Sequence, residues 1–148
     1  MASSDKDPQA DFLDFNPPSV EFIEKIAGPM SSYFTPQFFN FDSLDKDKPA
    51  LYVTNHSVFG VTDGMLFGAE AYKKKGIFFR SLVDNMLYQI PYWKDVNPQL
   101  GFVKGTRENC SALMKAGEHV IVYPGGGRET MKLKGEKYKL TWKNRLGF

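Results

Sequence analysis

The chain of 148 residues contains a single cysteine, two histidines and no long apolar run. Because Cys110 has no second cysteine to pair with, no internal disulfide can form, which fits a reducing compartment. No stretch reaches the ~18 consecutive apolar residues that a membrane-spanning helix needs. The first residues, MASSDKDPQADF, contain neither a basic nor an apolar segment of the secretory type, so we expect no signal peptide.

The net charge is low, at +2, but the charges are unevenly distributed. Residues 1–50 hold nine acidic side chains against four lysines, whereas residues 128–148 hold seven basic side chains against two acidic ones. The 42% hydrophobic and 24% charged fractions are ordinary for a globular domain that can form a core. We predict a mobile acidic arm over residues 1–18, which are polar and contain proline, and one folded domain over residues 19–148.

Strand and helix patterns alternate along the domain, which predicts an α/β fold with a mostly parallel sheet flanked by helices. The predicted strands are ALYVTN, IFFRSLV, LGFVKG and HVIVYPGGG. A first helix is expected after Pro17–Pro18 and is expected to end at Gly28–Pro29. The other predicted helices are DGMLFGAEAYKKKG, a short one in DNMLYQIPYW broken by Pro91, and TRENCSALMKAGE with Thr106 as its cap.

Three polar loops follow predicted strands, and in a parallel sheet such loops meet at one edge. NHSVFGVTD follows the first strand, KGTREN the third and PGGGRET the fourth. These loops carry a histidine–aspartate pair, His56 and Asp63, an arginine at a helix start, Arg107, and a glycine-rich turn followed by Arg128. The sequence therefore predicts an active site at the carboxyl edge of the sheet.

His56 and Asp63 are a pair of the kind that general base catalysis uses. A neutral imidazole takes a proton from a hydroxyl, while a carboxylate behind it fixes the tautomer and stabilises the imidazolium. No serine nucleophile is required if the hydroxyl belongs to the substrate. A purely structural interpretation also remains open, in which His56 ends a strand and Asp63 begins a helix, where the helix dipole favours an acid.

Four blocks in order resemble the lysophospholipid acyltransferase superfamily of glycerolipid enzymes. NHSVFGVTD resembles the first block, in which Asn-His-[Ser/Thr] precedes a catalytic aspartate. FFRSLVDNMLYQIPYW, GFVKGTREN and VIVYPGGGRET are similar to the blocks that follow, the last of which usually reads Phe-Pro-Glu-Gly-Thr-Arg. The resemblance runs from about residue 50 to the end. It implies an incomplete glycerolipid acyltransferase-like domain, because the family normally continues into another strand and motif that are missing here.

The chain departs from the family's pattern at two places. Six residues lie between His56 and Asp63, where the usual motif has four. In the last block the family's glutamate falls on Gly125 and its threonine on Gly127, while its arginine is kept as Arg128. Enzymes that acylate phosphate-bearing lysolipids usually carry the Glu-Gly-Thr-Arg form. The Gly-Gly-Gly-Arg-Glu version resembles the branch near the mono- and diacylglycerol acyltransferases, whose acceptors are neutral.

The resemblance implies acyl transfer from acyl-CoA to a glycerolipid hydroxyl, with a neutral acceptor preferred over lysophosphatidate. His56 would deprotonate that hydroxyl and Asp63 would orient His56. Planar guanidinium groups suit acidic groups of the substrates, and glycine N–H groups suit an oxyanion or a phosphate. We expect no metal and no cofactor beyond the acyl-CoA donor. The implied substrate-binding residues are Asn55, Ser57, Arg107, Gly125, Gly126, Gly127 and Arg128.

We expect peripheral association with the cytoplasmic face of a membrane, through the aromatic N-terminal segment and the basic end. A lysophosphatidate or lysophospholipid acyltransferase, and an inactive lipid-binding domain of the same fold, remain open alternatives. The run RETMKLKGEKYKLTWKNR, with Tyr138 and Trp142 interleaved, also fits nucleic-acid binding. We expect no nucleic-acid partner, because the order of the blocks does not require one. A hydrolase using Ser57 or His56 would lack the Gly-x-Ser-x-Gly elbow.

Overall fold

The computed structural model describes residues 12–56, 62–91, 97–136 and 139–140. At Met86, Leu87 and Arg128 it describes the backbone alone. The described residues form a four-stranded sheet in the order β1-β4-β2-β3, with every neighbouring pair parallel. The strands are β1 Leu51–Val53, β2 Phe79–Val83, β3 Val103–Lys104 and β4 His119–Val122. The predicted α/β fold with a parallel sheet is confirmed.

Helices connect the parallel strands. The described residues include the helices α1 Val20–Phe34, α2 Thr62–Lys75, α3 Arg107–Lys115 and α4 Gly126–Thr130. Helix α2 joins β1 to β2 and ends as predicted, with Gly76 in the left-handed region at φ +65°. Helix α3 joins β3 to β4 and begins at the predicted cap, where the Thr106 hydroxyl accepts the Asn109 N–H at 3.1 Å. Helix α4 was not predicted, because its glycines indicated a turn.

Helix α1 is longer than predicted, and its expected end at Gly28–Pro29 is wrong. It begins at Ser19, whose hydroxyl accepts the Phe22 N–H at 3.2 Å. It ends at Thr35, which has φ +42° and donates its N–H to the Ser31 carbonyl at 2.9 Å. Pro29 is exposed and removes one N–H donor, which is a small loss for a helix that packs along α2.

The sheet is buried on both faces, as its apolar central strand predicts. Val120 and Val122 of β4 point to one face and Ile121 to the other, following the period of two. The first face packs on α3, and the second on α2 and the aromatic segment before β1. The two core clusters are Leu82, Val103, Leu113, Val120 and Val122, with Phe12, Cys110 and Met114 against them, and Ala71, Ile77, Phe79 and Ile121, with Phe41, Leu44, Tyr52, Phe67 and Tyr123 against them.

The predicted arm is described only over residues 12–18, and residues 1–11 lie outside the described part of the chain. Phe12 packs against the first core cluster, and the Phe15 ring lies 5.4 Å from the Phe78 ring, centroid to centroid. Residues 12–18 are therefore in contact with the domain. Residues 141–148 also lie outside the described part. Among the described helices, none is both long and apolar enough to cross a membrane.

Candidate active site

The first and last blocks lie side by side because β1 and β4 are neighbours in the sheet. The Thr54 N–H donates to the Val122 carbonyl at 3.0 Å, which extends the ladder to the carboxyl ends of both strands. His56 follows two residues after Thr54, and Tyr123 follows Val122 directly. The predicted meeting of these two loops at one edge of the sheet is confirmed.

The His56 imidazole stacks on the ring of Tyr123. The ring centroids are 3.8 Å apart and the ring planes are inclined by 10°. The phenol ring therefore covers one face of the imidazole, and His56 as a whole is half-buried. Stacking of this kind holds a ring in one orientation, which a base needs if it is to meet a hydroxyl.

The Tyr123 hydroxyl reaches the start of helix α2. A Cβ atom added at Gly64 would lie 2.1 Å from the Tyr123 Oη, so this close approach requires glycine there. Burial, and then the negative charge of Asp63, raise the pKa of Tyr123 to about 12. Tyr123 therefore lies between His56 and the α2 terminus that carries Asp63. Direct hydrogen bonding between His56 and Asp63 stays a prediction.

Replacing Tyr123 with phenylalanine is expected to change how stability depends on pH. The unfolded phenol ionises near pH 10, whereas the folded one stays protonated up to a pKa of about 12. Ionisation therefore favours unfolding of the natural protein between these values, at up to about 1.4 kcal/mol per pH unit. Urea unfolding at pH 9, 10 and 11 should show the natural protein losing stability relative to Tyr123→Phe above pH 10. Parallel pH profiles would contradict this.

Glu129 belongs to the site, and the sequence analysis did not identify it. Its side chain is 0% exposed, and its Oε2 accepts the backbone N–H of His56 at 3.0 Å. Its Oε1 lies 3.4 Å from the Nζ of Lys132, whose side chain is 12% exposed. The only sequence signal was an acid four residues after Gly125 and three before Lys132, and such a spacing becomes informative only once α4 is known to be a helix.

The three glycines of the turn have different surroundings. A Cβ atom at Gly125 would lie 2.1 Å from the Cγ of Glu129, while nothing lies within 4 Å of one at Gly127. Gly126 has φ +51°, which favours glycine, and donates its N–H to the Tyr123 carbonyl at 2.9 Å. Because the Gly126 N–H already has an acceptor, the predicted contact with an oxyanion or phosphate would involve the N–H groups of Gly125 and Gly127.

Arg107 lies on the predicted edge but far from His56 along it. It begins helix α3 after β3 and is exposed. Because β4 and β2 separate β3 from β1, Arg107 follows a strand that lies about 14 Å from β1 at ordinary strand spacing. Arg107 is therefore placed farther along the edge of the sheet from His56 than Tyr123 and Glu129 are, and its contact with a substrate stays a prediction.

The remaining predicted residues are placed only in part. Asn55 is exposed beside His56, and Ser57 lies outside the described residues. The backbone of Arg128 is part of α4, but its side chain also lies outside the description. Among the described residues, no group of three or more histidine, cysteine, aspartate or glutamate side chains is arranged to hold a metal ion.

Known proteins are similar to this chain over most of its length, including the sheet and the edge with His56. The family model described as Acyltransferase matches residues 36–146. The chain is 28% identical over 107 residues to the DGAT1/2-independent enzyme synthesizing storage lipids of Bos taurus, covering 72% of this chain and 31% of that protein. It is 32% identical over 112 residues to phytyl ester synthase 1, chloroplastic, of Arabidopsis thaliana, covering 68% of this chain and 15% of that protein.

A third relative is diacylglycerol O-acyltransferase 2B of Umbelopsis ramanniana, 24% identical over 113 residues, with 70% of this chain and 32% of that protein covered. The chain thus spans about a third of the length of the bovine relative and less of the plant one. No solved structure matches it with statistical significance. Because the family model extends over most of the chain, including all four strands and the edge with His56 and Glu129, the chain belongs to the acyltransferase family.

Proposed function

We propose that the protein transfers a fatty acyl group from acyl-CoA to the hydroxyl of a neutral lipid alcohol, with mono- or diacylglycerol as the acceptor. Membership of the acyltransferase family supports acyl transfer as the reaction. The observation that carries the acceptor class is that the relatives are named for storage lipids, phytyl esters and diacylglycerol acylation. All three names refer to neutral lipids.

The placement of Arg107 fits the acyl-CoA donor. In a lysophosphatidate, the phosphate lies only a few bonds from the hydroxyl that attacks, so its binding group must lie near the base. Arg107 instead follows a strand about 14 Å from β1. A guanidinium at that distance suits the phosphates of a CoA donor, whose reactive sulfur lies at the end of a long arm.

One sequence argument for the neutral acceptor is corrected by the structure. Gly125 indicated that the family's carboxylate is absent from the turn. The Glu129 side chain in fact fills the space next to Gly125, with its Oε2 2.7 Å from where a Cβ atom would be. A carboxylate is therefore present in the turn, and the acceptor proposal depends on the relatives alone.

The proposed reaction uses His56 as the general base. Its imidazole takes the proton of the acceptor hydroxyl as the hydroxyl oxygen attacks the thioester carbonyl. The tetrahedral intermediate then expels the CoA thiolate, which receives the proton back from the imidazolium, so that an ester and free CoA leave. Asp63 orients the imidazole, Tyr123 stacks against it at 3.8 Å, and N–H groups of the glycine turn are candidates to stabilise the oxyanion.

Parallel assays on the full-length protein test the acceptor and the donor. Oleoyl-CoA or oleoyl-acyl carrier protein is offered with monoacylglycerol, diacylglycerol, phytol or lysophosphatidate in lipid vesicles, and both ester and free thiol are measured. We expect His56-dependent acylation of a neutral alcohol at least about tenfold faster than that of lysophosphatidate, a difference of about 1.4 kcal/mol in activation free energy. Acylation of lysophosphatidate alone would refute the acceptor proposal, and transfer only from acyl carrier protein would refute the donor.

We also propose that the protein associates peripherally with the cytoplasmic face of a membrane, and the same vesicles test the membrane contact. Tyr33 lies at the end of α1 and Phe39 in the segment after it. The aromatic side chains of both are largely exposed. Exposed aromatic rings of this kind insert readily at a lipid interface. Sedimentation with the vesicles is expected, and a protein that stays in the supernatant at every lipid composition would refute peripheral association of the full-length chain.

A further inference from the structure

Glu129 is a carboxylate buried beneath the proposed base. Burying an ionisable group costs free energy unless partners compensate for the lost water. Here both oxygens have a partner, since Oε2 accepts the His56 N–H at 3.0 Å and Oε1 lies 3.4 Å from the Nζ of Lys132. The hydrogen bond joins positions 73 residues apart in the chain, so it ties the loop after β1 to helix α4.

Gly125 makes room for this carboxylate. Its backbone, at φ −71° and ψ −20°, is one that any residue adopts, so conformation does not require glycine at this position. A Cβ atom there would instead lie 2.1 Å from the Cγ and 2.4 Å from the Cδ of Glu129. The Glu129 side chain therefore occupies the space in which a side chain at position 125 would begin.

We propose that Glu129 is a positioning residue for His56, holding the backbone of the base against helix α4 in a geometry that Gly125 makes possible. This inference rests on the proposed function in so far as His56 is the base. The segment after β4 then holds His56 twice, with the Tyr123 ring against its imidazole and Glu129 at its backbone N–H. Such a double hold matters because small displacements of a base cost large factors in rate.

Three variants of the full-length protein distinguish the effect of the carboxylate's charge from the effect of its position. Glu129→Ala removes both the acceptor of the His56 N–H and the charge beside Lys132. Glu129→Gln keeps an oxygen acceptor and loses the charge. Gly125→Asp combined with Glu129→Ala returns a carboxylate to the vacated space from the other end of the turn. The matched control is Glu70→Gln, which removes the carboxylate of a more exposed lysine pair on α2, at 2.6 Å from Lys74.

Kinetics are expected to follow the position of the carboxylate. Glu129→Ala should lower kcat by about 10- to 100-fold with little change in KM, because a misplaced base slows chemistry and leaves substrate contacts intact. Glu129→Gln should lose less, the double variant should recover most of the lost kcat, and Glu70→Gln should match the natural protein. Equal kcat in the natural protein and in all Glu129 variants would overturn the proposal while leaving the acyl transfer standing.

A second readout does not depend on acyl transfer. Diethyl pyrocarbonate modifies histidine, and the chain has only two, which mass spectrometry of peptides distinguishes. His119 serves as the internal control because it begins β4 at the opposite edge and is 7% exposed, between the Tyr52 hydroxyl and the Lys46 carbonyl. In Glu129→Ala, the modification rate of His56 should rise several-fold while that of His119 stays constant.

The outcomes separate the two proposals. A faster reaction at His56 alone supports positioning by Glu129, even if the natural protein acylates none of the acceptors offered. Equal acceleration at both histidines means that Glu129 supports only the fold, which overturns the proposal. If Glu129→Ala does not fold, the Glu129→Gln variant and the double variant decide by the same rates, since each keeps a polar group in the space beside Gly125.

Discussion

Replacing His56 with alanine is expected to lower the kcat of acyl transfer by about 10²- to 10⁴-fold, the range that a positioned general base contributes. The fold should survive, because alanine keeps the backbone N–H that donates to Glu129 at 3.0 Å. The loss of the ring stacked at 3.8 Å on Tyr123 is expected to cost about 1 kcal/mol of unfolding free energy. Activity and stability should therefore separate clearly in this variant.

The other histidine supplies the matched control. His119→Asn should lower the unfolding free energy, because the imidazole is buried and both its nitrogens have hydrogen-bond partners. It should leave the kcat of the folded protein unchanged, since His119 lies at the amino edge of the sheet. Rates at saturating acceptor and urea unfolding curves measure both quantities. Retention of more than about a tenth of kcat in His56→Ala would mean that His56 is not the general base.

The strands and most helix ends could be predicted because they depend on local signals. The run HVIVY is continuously apolar and became the buried strand β4, and the lysines before Gly76 mark the end of α2. The end of α1 could not be predicted in this way. Gly28 and Pro29 are strong local breakers, but packing along α2 and the cap at Thr35 carry the helix past them.

The sequence predicted that the loops with His56 and the glycine turn meet at one edge of the sheet, but it did not predict the contacts between them. Sequence order gives no strand order, so the sequence placed Arg107 and Arg128 on the same edge as His56 without giving their distances from it. Arg107 follows β3, which is three strands from β1, whereas the helix that contains Arg128 follows β4, the neighbour of β1. Glu129 was missed because the family's glutamate falls on Gly125, which indicated that the turn has no carboxylate. The structure brings one to the same space from one helical turn further along.

The second large effect is expected at Arg80, which fixes the N-terminal segment to the sheet. Its side chain in β2 is buried, with the residue 1% exposed. Its Nε donates to the Gly101 carbonyl at 3.1 Å and its Nη2 to the Phe12 carbonyl at 2.5 Å. Its Nη1 pairs with Glu118 at 3.2 Å, and its guanidinium carbon lies 4.2 Å from the centre of the Phe15 ring. One side chain thus satisfies groups from three separate segments.

Arg80→Met keeps most of the apolar stem of the side chain and removes every one of its donors. Carbonyls at Phe12 and Gly101 lose their donor, while Glu118 can turn to water because its side chain is 31% exposed. We therefore expect a loss of about 3 kcal/mol of unfolding free energy, near the lower end for breaking a buried pair.

Lys73→Met is the control for this change, since it breaks an exposed pair with Glu24 and should cost less than about 1 kcal/mol. Urea unfolding measures both variants, and limited proteolysis should cut residues 12–18 faster in Arg80→Met alone, because the contacts that hold them are lost. A cost for Arg80→Met no larger than that of the control would show that packing of Phe12 and Phe15 holds the segment without the guanidinium.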